Sequence, residues 1–342
     1  MTDKPDKPGA DEHGDLWQGD QPSRDPYNRQ REEKGALFKR ILDDNPSPPA
    51  DAAAQAHVPP PADDVKPSAP AEPAAQHPRA PSSGHRIRLV NVSKSFGSLR
   101  VLDDISMDIE PGRSTVIIGP SGVGKSVLLK HIVGLLKPDR GEVWFGDQRV
   151  DTLRDSALVE IRKRIGYLFQ MGALFDSMNV FENVTFPMVE HTHASPDERR
   201  QRCARVLAMV GLSGIERKMP GELSGGQRKR VALARAIVLE PELVLYDEPT
   251  TGLDPIRADV INELILNLGR QLGMTSIVVT HDMHSADRIA DRMVMLYDVR
   301  IVADGEPAAL YKSDADLVQR FVRGRAGQED LVRIREGFEA VR

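Results

Sequence analysis

The residues with the clearest chemical potential form one run, Gly119-Pro120-Ser121-Gly122-Val123-Gly124-Lys125-Ser126. It has the spacing of a phosphate-binding loop, which is a glycine, four residues and then Gly-Lys-Ser. Glycines let several backbone N–H groups converge on one anion, Lys125 can neutralise phosphates, and the Ser126 hydroxyl can ligate Mg²⁺. A chance glycine turn is the alternative. Apolar Val116-Ile117-Ile118 before the run and a helix-like segment from Val127 after it favour a strand, a loop and a helix that bind phosphate.

Two carboxylates end an apolar run, Leu243-Val244-Leu245-Tyr246-Asp247-Glu248. A strand that ends in acids beside a phosphate-binding loop places Asp247 near Mg²⁺. Glu248 is then placed to orient or deprotonate an attacking water. A charged strand end at the surface would be a serious alternative if this run stood alone, but its combination with Lys125 and Ser126 favours catalysis.

Two other side chains follow predicted strands. Gln170 comes after Ile165 to Phe169, where a neutral amide can contact both Mg²⁺ and the attacking water without adding charge. His281 comes after Ile277 to Thr280, where an imidazole can donate a hydrogen bond to a γ-phosphate. A lone histidine at such a position is more often structural, so its role depends on the neighbouring motifs.

A second anion site is predicted at Ser224-Gly225-Gly226-Gln227, just before a helix. A hydroxyl and backbone N–H groups at a helix start attract anions. Two such sites in one chain make sense if this one serves a nucleotide held by another copy of the chain.

Positioning these residues requires a parallel sheet, because strands and helices alternate from residue 228 onward. The amino-acid composition also divides the chain into an N-terminal extension and a folded domain. Residues 1–85 hold 15 of the 25 prolines and are predicted to be a disordered extension. A folded domain is predicted over 86–322, with a mostly helical, polar insert at about 171–225.

Composition also excludes several classes of protein. The net charge of −5 gives no reason to expect nucleic acid as a partner. The single cysteine, Cys203, cannot form an intramolecular disulfide, which fits a reducing compartment. We find no uncharged apolar run long enough to span a membrane and no secretory signal.

As a set, these residues resemble the ATP-binding cassette (ABC) ATPases over about residues 86 to 320, and Leu223 to Gln227 resembles their signature sequence. The resemblance implies an α/β fold: a P-loop NTPase with a RecA-like core, an antiparallel β subdomain and an α-helical subdomain. It implies hydrolysis of ATP with Mg²⁺ held near Ser126, Gln170 and Asp247.

The resemblance also implies a head-to-tail dimer with a second copy of the chain, with two ATP molecules between the copies. Ser224 and Gly226 of one copy would face the γ-phosphate bound to the other. Phe96 would stack on adenine, and Asp254 would lie in a loop that crosses the interface.

The segment from Phe169 to Pro187, followed by Glu190-His191-Thr192, is similar to the ATPases of Mla-type phospholipid transporters. This implies hydrophobic cargo, an integral membrane permease, a substrate-binding lipoprotein of the mammalian-cell-entry type and an accessory subunit. It implies a peripheral position on the cytoplasmic side of the inner membrane. Ala173-Leu174-Phe175 and Val180-Phe181 are expected to form an apolar patch for the permease, or else to pack inside the helical subdomain. Gln227 departs from this subclass, which often has Met there.

Other ABC functions stay open at this stage. Another importer, or a regulatory or division-type ABC ATPase without a permease, would carry the same motifs. The tail at 323–342 is predicted to be an amphipathic helix, with Leu331, Ile334, Phe338 and Val341 on one stripe. It could dock on the other copy, on an accessory subunit or on its own core.

Overall fold

The computed structural model of this protein describes residues 86–327. In chain order, its strands are β1 (Ile87–Phe96), β2 (Leu99–Ile109), β3 (Ser114–Ile118), β4 (Arg140–Phe145), β5 (Gln148–Arg149), β6 (Ile165–Leu168), β7 (Leu243–Asp247), β8 (Thr275–Thr280), β9 (Arg292–Tyr297) and β10 (Arg300–Gly305). Its α-helices are α1 (Lys125–Ile132), α2 (Asp155–Arg162), α3 (Val180–His191), α4 (Pro196–Met209), α5 (Gly225–Ile237), α6 (Pro255–Leu272), α7 (Met283–Ile289), α8 (Pro307–Tyr311) and α9 (Asp316–Val322). The extension predicted at 1–85 lies outside the described residues.

The central sheet has six strands in the order β10-β9-β3-β8-β7-β6. All neighbouring strands run parallel except β10, which pairs antiparallel with β9. Every residue of β3, β7 and β8 is buried, because helices or a second sheet cover both faces. This explains why these strands appear in the sequence as continuous apolar runs, and it confirms the predicted α/β fold class.

Two hydrophobic cores lie on opposite faces of the central sheet. Along β3, Val116 and Ile118 belong to one core, whereas Ile117 belongs to the other. The same alternation continues in β7, where Tyr246 and Leu245 point to opposite faces. A residue's position in a strand therefore decides which layer it stabilises.

The second sheet is a four-stranded antiparallel layer in the order β2-β1-β4-β5. Its inward side chains, among them Ile87, Leu89 and Phe145, share a core with Ile117 and Leu245 of the central sheet. This layer is the antiparallel β subdomain that the resemblance implied.

Helices α3 and α4 form the helical subdomain, and both begin at capping boxes. Asn179 and Glu182 cap each other's backbone N–H groups at the start of α3, and Ser195 and Glu198 do the same for α4. Such reciprocal caps satisfy N–H groups that a helix start otherwise leaves without partners. Pro196 occupies the first position of α4, where its missing N–H costs nothing.

The described chain ends just after α9, which is closed by Gly324. This residue has φ +61°, and the N–H groups of Gly324 and Arg325 donate to the carbonyl oxygens of Phe321 and Arg320. That pattern is a Schellman motif, which ends a helix. Residues 323–327 therefore do not start the helix predicted at 323–342, and its apolar stripe lies outside the described residues.

Between residues 86 and 327, the structure contains no helix whose length and apolar character would let it span a membrane.

Candidate active site

A cavity of about 350 Å³ lies at the carboxyl edge of the central sheet. It is bounded by the loop after β3, by Gln170 after β6 and by Glu248 after β7. Parallel strands bring their carboxyl ends to one edge, and ligands of such sheets bind there. The lining residues are Phe96, Val101, Ser121, Gly122, Gly124, Lys125, Ser126, Val127, Gln170 and Glu248. The cavity thus joins Phe96, the predicted phosphate-binding loop, Gln170 and Glu248.

The loop from residue 119 to 124 holds a backbone that side chains would disturb. Gly119 has φ +152°, and a Cβ atom built on it would lie 2.1 Å from the carbonyl oxygen of Leu296. Gly122 and Gly124 also have positive φ values. Gly119, Pro120 and Val123 belong to this loop but do not line the cavity. The loop leads directly into α1, so backbone N–H groups and the helix N-terminus meet at the cavity.

Lys125 is buried at the base of the loop. Its Nζ donates to the carbonyl oxygens of Gly119 at 2.8 Å and Pro120 at 3.0 Å, and lies 3.6 Å from Oε1 of Glu248. Burial lowers the pKa of Lys125, whereas the charges of Glu248 and Asp247 act in the opposite direction. Two backbone carbonyl oxygens thus fix the position of the Lys125 ammonium in the cavity lining.

Ser126 and Asp247 bring a hydroxyl and a carboxylate together, and both are oxygen ligands that suit a magnesium ion. The Ser126 hydroxyl donates to Oδ1 of Asp247 at 2.6 Å, across the gap between α1 and β7. The hydroxyl of Tyr167 donates to Oδ2 of the same carboxylate at 3.3 Å. Burial raises the pKa of Tyr167 well above its ordinary range, and the charge of Asp247 adds to the rise, so this hydroxyl stays a donor.

These residues fit Mg²⁺ bound with a nucleotide. Mg²⁺ commonly takes one or two protein oxygens and completes its shell with water and phosphate oxygens. Among residues 86–327, no group of three or more His, Cys, Asp or Glu side chains could hold a metal ion. A hydroxyl and one carboxylate beside a phosphate-binding loop therefore suit a metal that arrives with phosphate better than a metal held by protein alone.

Glu248 is held from several directions. His281 Nδ1 lies 2.9 Å and 3.0 Å from its two carboxylate oxygens, and the Thr251 hydroxyl donates to Oε2 at 3.2 Å. The backbone of Glu248 has φ +49°, a left-handed conformation that is uncommon for this residue type. Its carbonyl oxygen accepts a hydrogen bond from Lys229 at 3.2 Å. Glu248 and His281, which the sequence analysis assigned separate roles, are thus in direct contact.

The segment Ser224-Gly225-Gly226-Gln227 and Asp254 do not line this cavity. Ser224 caps α5 and forms a capping box with Gln227, while Asp254 caps α6 by accepting from the Arg257 N–H. A Cβ atom built on Gly226 would lie 3.5 Å from Cδ of Arg257. The two segments predicted to face another copy are therefore neighbours.

Sequence reasoning did not identify Tyr167, Thr251 or Lys229 as site residues. Thr251 lies three residues after Glu248, so its proximity was available from the sequence. Tyr167 and Lys229 reach Asp247 and Glu248 from other elements, at separations of 80 and 19 residues. No motif spacing in this sequence points to those contacts.

A groove of about 400 Å³ separates the central sheet from the helical subdomain. Phe169, Ala173, Phe175 and Phe186 are among its lining residues. Arg235 of α5 donates to the carbonyl oxygens of Gly172 and Ala173, both at 2.8 Å, and so fixes the loop after Gln170.

The apolar patch predicted at 173–175 and 180–181 is only partly at the surface. Val180 is fully buried, and Leu174 and Phe181 pack against the core. For Val180 the structure thus fits the second alternative, packing inside the helical subdomain, because the residue begins α3 with its side chain facing inward. Phe175 is 42% exposed and contributes to the groove.

Comparison with known proteins places this geometry in a family. Residues 102–251 match the sequence profile of the ABC transporter family. Over 240 residues, the chain is 43% identical to the intermembrane phospholipid transport system ATP-binding protein MlaF of Haemophilus influenzae, covering 70% of this chain and 91% of that protein. Over 242 residues, it is 43% identical to the probable ribonucleotide transport ATP-binding protein mkl of Mycobacterium leprae, covering 71% and 70%.

Solved structures agree with the sequence relatives. The dimeric structure of a post-hydrolysis state of the ATP-binding cassette MJ0796 bound to ADP and Pi has a TM-score of 0.60 and 35% identity, covering 64% of this chain and 98% of that one. The structure of cbiO1 from Clostridium perfringens, part of the transporter complex cbiONQ, has a TM-score of 0.62 and 29% identity, covering 74% and 100%. This chain belongs to the ABC transporter family.

Proposed function

We propose that this chain is the ATP-hydrolysing subunit of an ABC transporter that moves phospholipid or a related hydrophobic cargo through a separate permease. The observation that carries the ATPase role is the contact of Glu248 with His281 and Lys125 at the edge of a cavity bounded by the phosphate-binding loop. The similarity to MlaF, which extends over 91% of that protein, supports the lipid cargo. The cassette is assigned to residues 86–322.

Each site residue has a role that its position supports. The backbone of residues 119–127 and the Lys125 ammonium bind the phosphates, and Phe96, which is 47% exposed at the cavity rim, offers a ring for the adenine. Ser126 and Asp247 would hold Mg²⁺, with Gln170 beside them. When bound, the ion would neutralise developing negative charge on the phosphate oxygens.

Glu248 orients the attacking water and accepts its proton. His281 holds the carboxylate and faces the end of the phosphate chain, and Lys125 stabilises charge as the phosphoryl group leaves. The shell of donors around Glu248 keeps its carboxylate in one direction before the reaction begins, which lowers the cost of reorganisation.

Two copies of the chain complete the site. In each copy, Ser224 to Gln227 presents a capped helix start and Asp254 lies beside it, away from the chain's own cavity. Both segments suit contact with the nucleotide of a second copy, and the similar cassette MJ0796 has a dimeric structure. The groove lined by Phe169 and Phe175 then contacts the permease at the cytoplasmic side of the inner membrane.

The first test is the ATPase activity of Glu248→Gln in the purified full chain, alone and with its permease. We expect turnover to fall by about 100-fold or more, because the general base is lost. ATP-dependent dimerisation, measured by light scattering, should persist because the substitution keeps the size and removes a negative charge. Asp259→Asn on α6, whose partner is the surface residue Arg288, is the matched control and should retain wild-type turnover. Normal turnover of Glu248→Gln would contradict the assignment.

The second test concerns cargo. The full chain with its permease, reconstituted in vesicles, should show ATP-dependent movement of labelled phospholipid. The mkl relative is named for ribonucleotide transport, so labelled ribonucleotide is the competing cargo. ATP-dependent uptake of ribonucleotide with no movement of lipid would refute the lipid proposal and leave the ATPase assignment intact. Failure to isolate any permease with the chain would favour a division-type or regulatory protein.

A further inference from the structure

Helix α5 places a buried cation next to Glu248. Lys229 is 7% exposed, and its Nζ donates to the carbonyl oxygen of Glu248 at 3.2 Å. An ammonium is costly to bury unless polar groups compensate for its lost hydration. The lysine therefore needs this carbonyl, and the carbonyl gains a charged donor.

The backbone of Glu248 needs such a partner. Its φ of +49° is a conformation that is unfavourable for a non-glycine residue unless the surroundings impose it. Its N–H donates to the Val279 carbonyl oxygen at 3.0 Å, and its carbonyl oxygen also accepts from the Thr251 N–H at 3.3 Å. The neighbouring strand and loop thus hold the peptide groups on either side of the Glu248 Cα, and Lys229 reaches the same carbonyl oxygen as Thr251 from a separate helix.

We propose that Lys229 is a positioning residue, whose ammonium holds the backbone of Glu248 in the conformation that directs its carboxylate toward His281 and the phosphate-binding loop. The proposal rests on the role of Glu248 proposed above. Lys229 acts through Glu248 and does not itself reach the cavity lining.

The charge state of the lysine supports this role. Burial lowers the pKa of Lys229 to about 8, and the negative charge of Glu248 opposes the decrease. The ammonium therefore keeps its proton near neutral pH in spite of burial. If Lys229 served only to fill the interior, its substitution by an apolar side chain of similar length would cause no loss of activity.

The test compares two substitutions in the full chain with its permease. Lys229→Met keeps the length of the side chain and removes the donor, whereas Lys229→Arg keeps both the donor and the charge. We expect Lys229→Met to lower kcat by about 10- to 100-fold with KM for ATP nearly unchanged, because misplacement of a catalytic group affects the chemical step. Lys229→Arg should stay within about threefold of wild-type kcat.

Arg230→Gln is the matched control on the same helix. Arg230 donates to the carbonyl oxygens of Val210 and Gly211, away from Glu248, and its substitution should leave kcat unchanged. Thermal unfolding of each variant separates a catalytic effect from a failure to fold. If Lys229→Met does not fold, a low kcat in the folded Lys229→Arg variant would by itself overturn the proposal.

A double substitution distinguishes this inference from the assignment of Glu248. If Lys229 acts through Glu248, adding Lys229→Met to Glu248→Gln should lower the residual rate by less than about twofold. A further full loss in the double variant would show an independent role and overturn the proposal. Wild-type kcat in Lys229→Met, with Glu248→Gln inactive, would overturn it while leaving the proposed function intact. Normal turnover in Glu248→Gln would instead contradict the proposed function.

Discussion

Asn183, which lies fully buried in α3, ties the preceding loop to the helical subdomain. Its Oδ1 accepts from the Phe175 N–H at 2.8 Å. Its Nδ2 lies 3.0 Å from the carbonyl oxygen of Phe175, 2.9 Å from that of Met178 and 3.1 Å from that of Asn179. One amide therefore adds side-chain hydrogen bonds to the few backbone bonds of this loop, and Asn183→Ala would remove all of these side-chain bonds.

The expected cost follows from these contacts. The amide has two N–H donors and one accepting oxygen in use, so about three hydrogen bonds are lost. At about 1 kcal/mol each, the free energy of unfolding should fall by about 3 kcal/mol, and by more if the Phe175 N–H stays without water. Since domains have total stabilities of about 5–15 kcal/mol, this is a severe loss.

The assay is urea unfolding of the full chain followed by circular dichroism, with the slope m compared between variants. The matched control is Asn267→Ala in α6, where the amide donates only to Glu263 one turn earlier, at 3.0 Å. That change should cost no more than about 0.5 kcal/mol. Equal losses in Asn183→Ala and Asn267→Ala, at the same m, would refute the reasoning that buried loop contacts carry the difference.

Three further predictions concern other buried positions. Gly119→Ala should abolish nucleotide binding or folding, because its Cβ would lie 2.1 Å from the Leu296 carbonyl oxygen. Gly269→Ala in α6 is the control, because its Cβ would meet no atom closer than 3.8 Å, and it should retain folding and binding in a fluorescent-nucleotide titration. Because the pKa of Lys229 is about 8 in the folded chain and 10.5 ordinarily, the unfolded chain holds the proton longer as pH rises. The free energy of unfolding of wild type relative to Lys229→Met should therefore rise by about 2 kcal/mol between about pH 8 and pH 10, and a flat difference in urea unfolding would contradict this. Burial raises the pKa of Cys203 to about 12, so its thiol should react with a chromogenic disulfide only in urea, and rapid labelling of the native chain would contradict that placement.

The sequence was sufficient to locate the cavity because its strands carry their polar residues at one end. Two of the cavity's lining residues, Gln170 and Glu248, each follow an apolar run, and the parallel pairing of β6 and β7 brings those ends together. This prediction needs only the order of strands and loops, and it does not need the packing of side chains.

Other features depend on packing and could not be predicted from the sequence. Lys229 looks like one more charge in the run Arg228-Lys229-Arg230, and only the docking of α5 shows that it is the buried one. The sequence left open whether Val180 lies at the surface or packs inside the helical subdomain, and only the packing of α3 shows that it is buried. The antiparallel direction of β10 likewise depends on its short turn after β9.

Helix α5 has a mechanical consequence for the two ends of the molecule. Its 13 residues extend over about 20 Å, with Ser224 at its start, Lys229 in its middle and Arg235 near its end. Ser224 begins the segment proposed to face a second copy. Lys229 contacts the carbonyl oxygen of Glu248, and Arg235 contacts the loop that borders the groove proposed to bind the permease. A stiff rod of this kind cannot pivot at one end while the other contacts stay still. Under the roles proposed above, a displacement at the groove would therefore reach the backbone of Glu248 through this single α-helix.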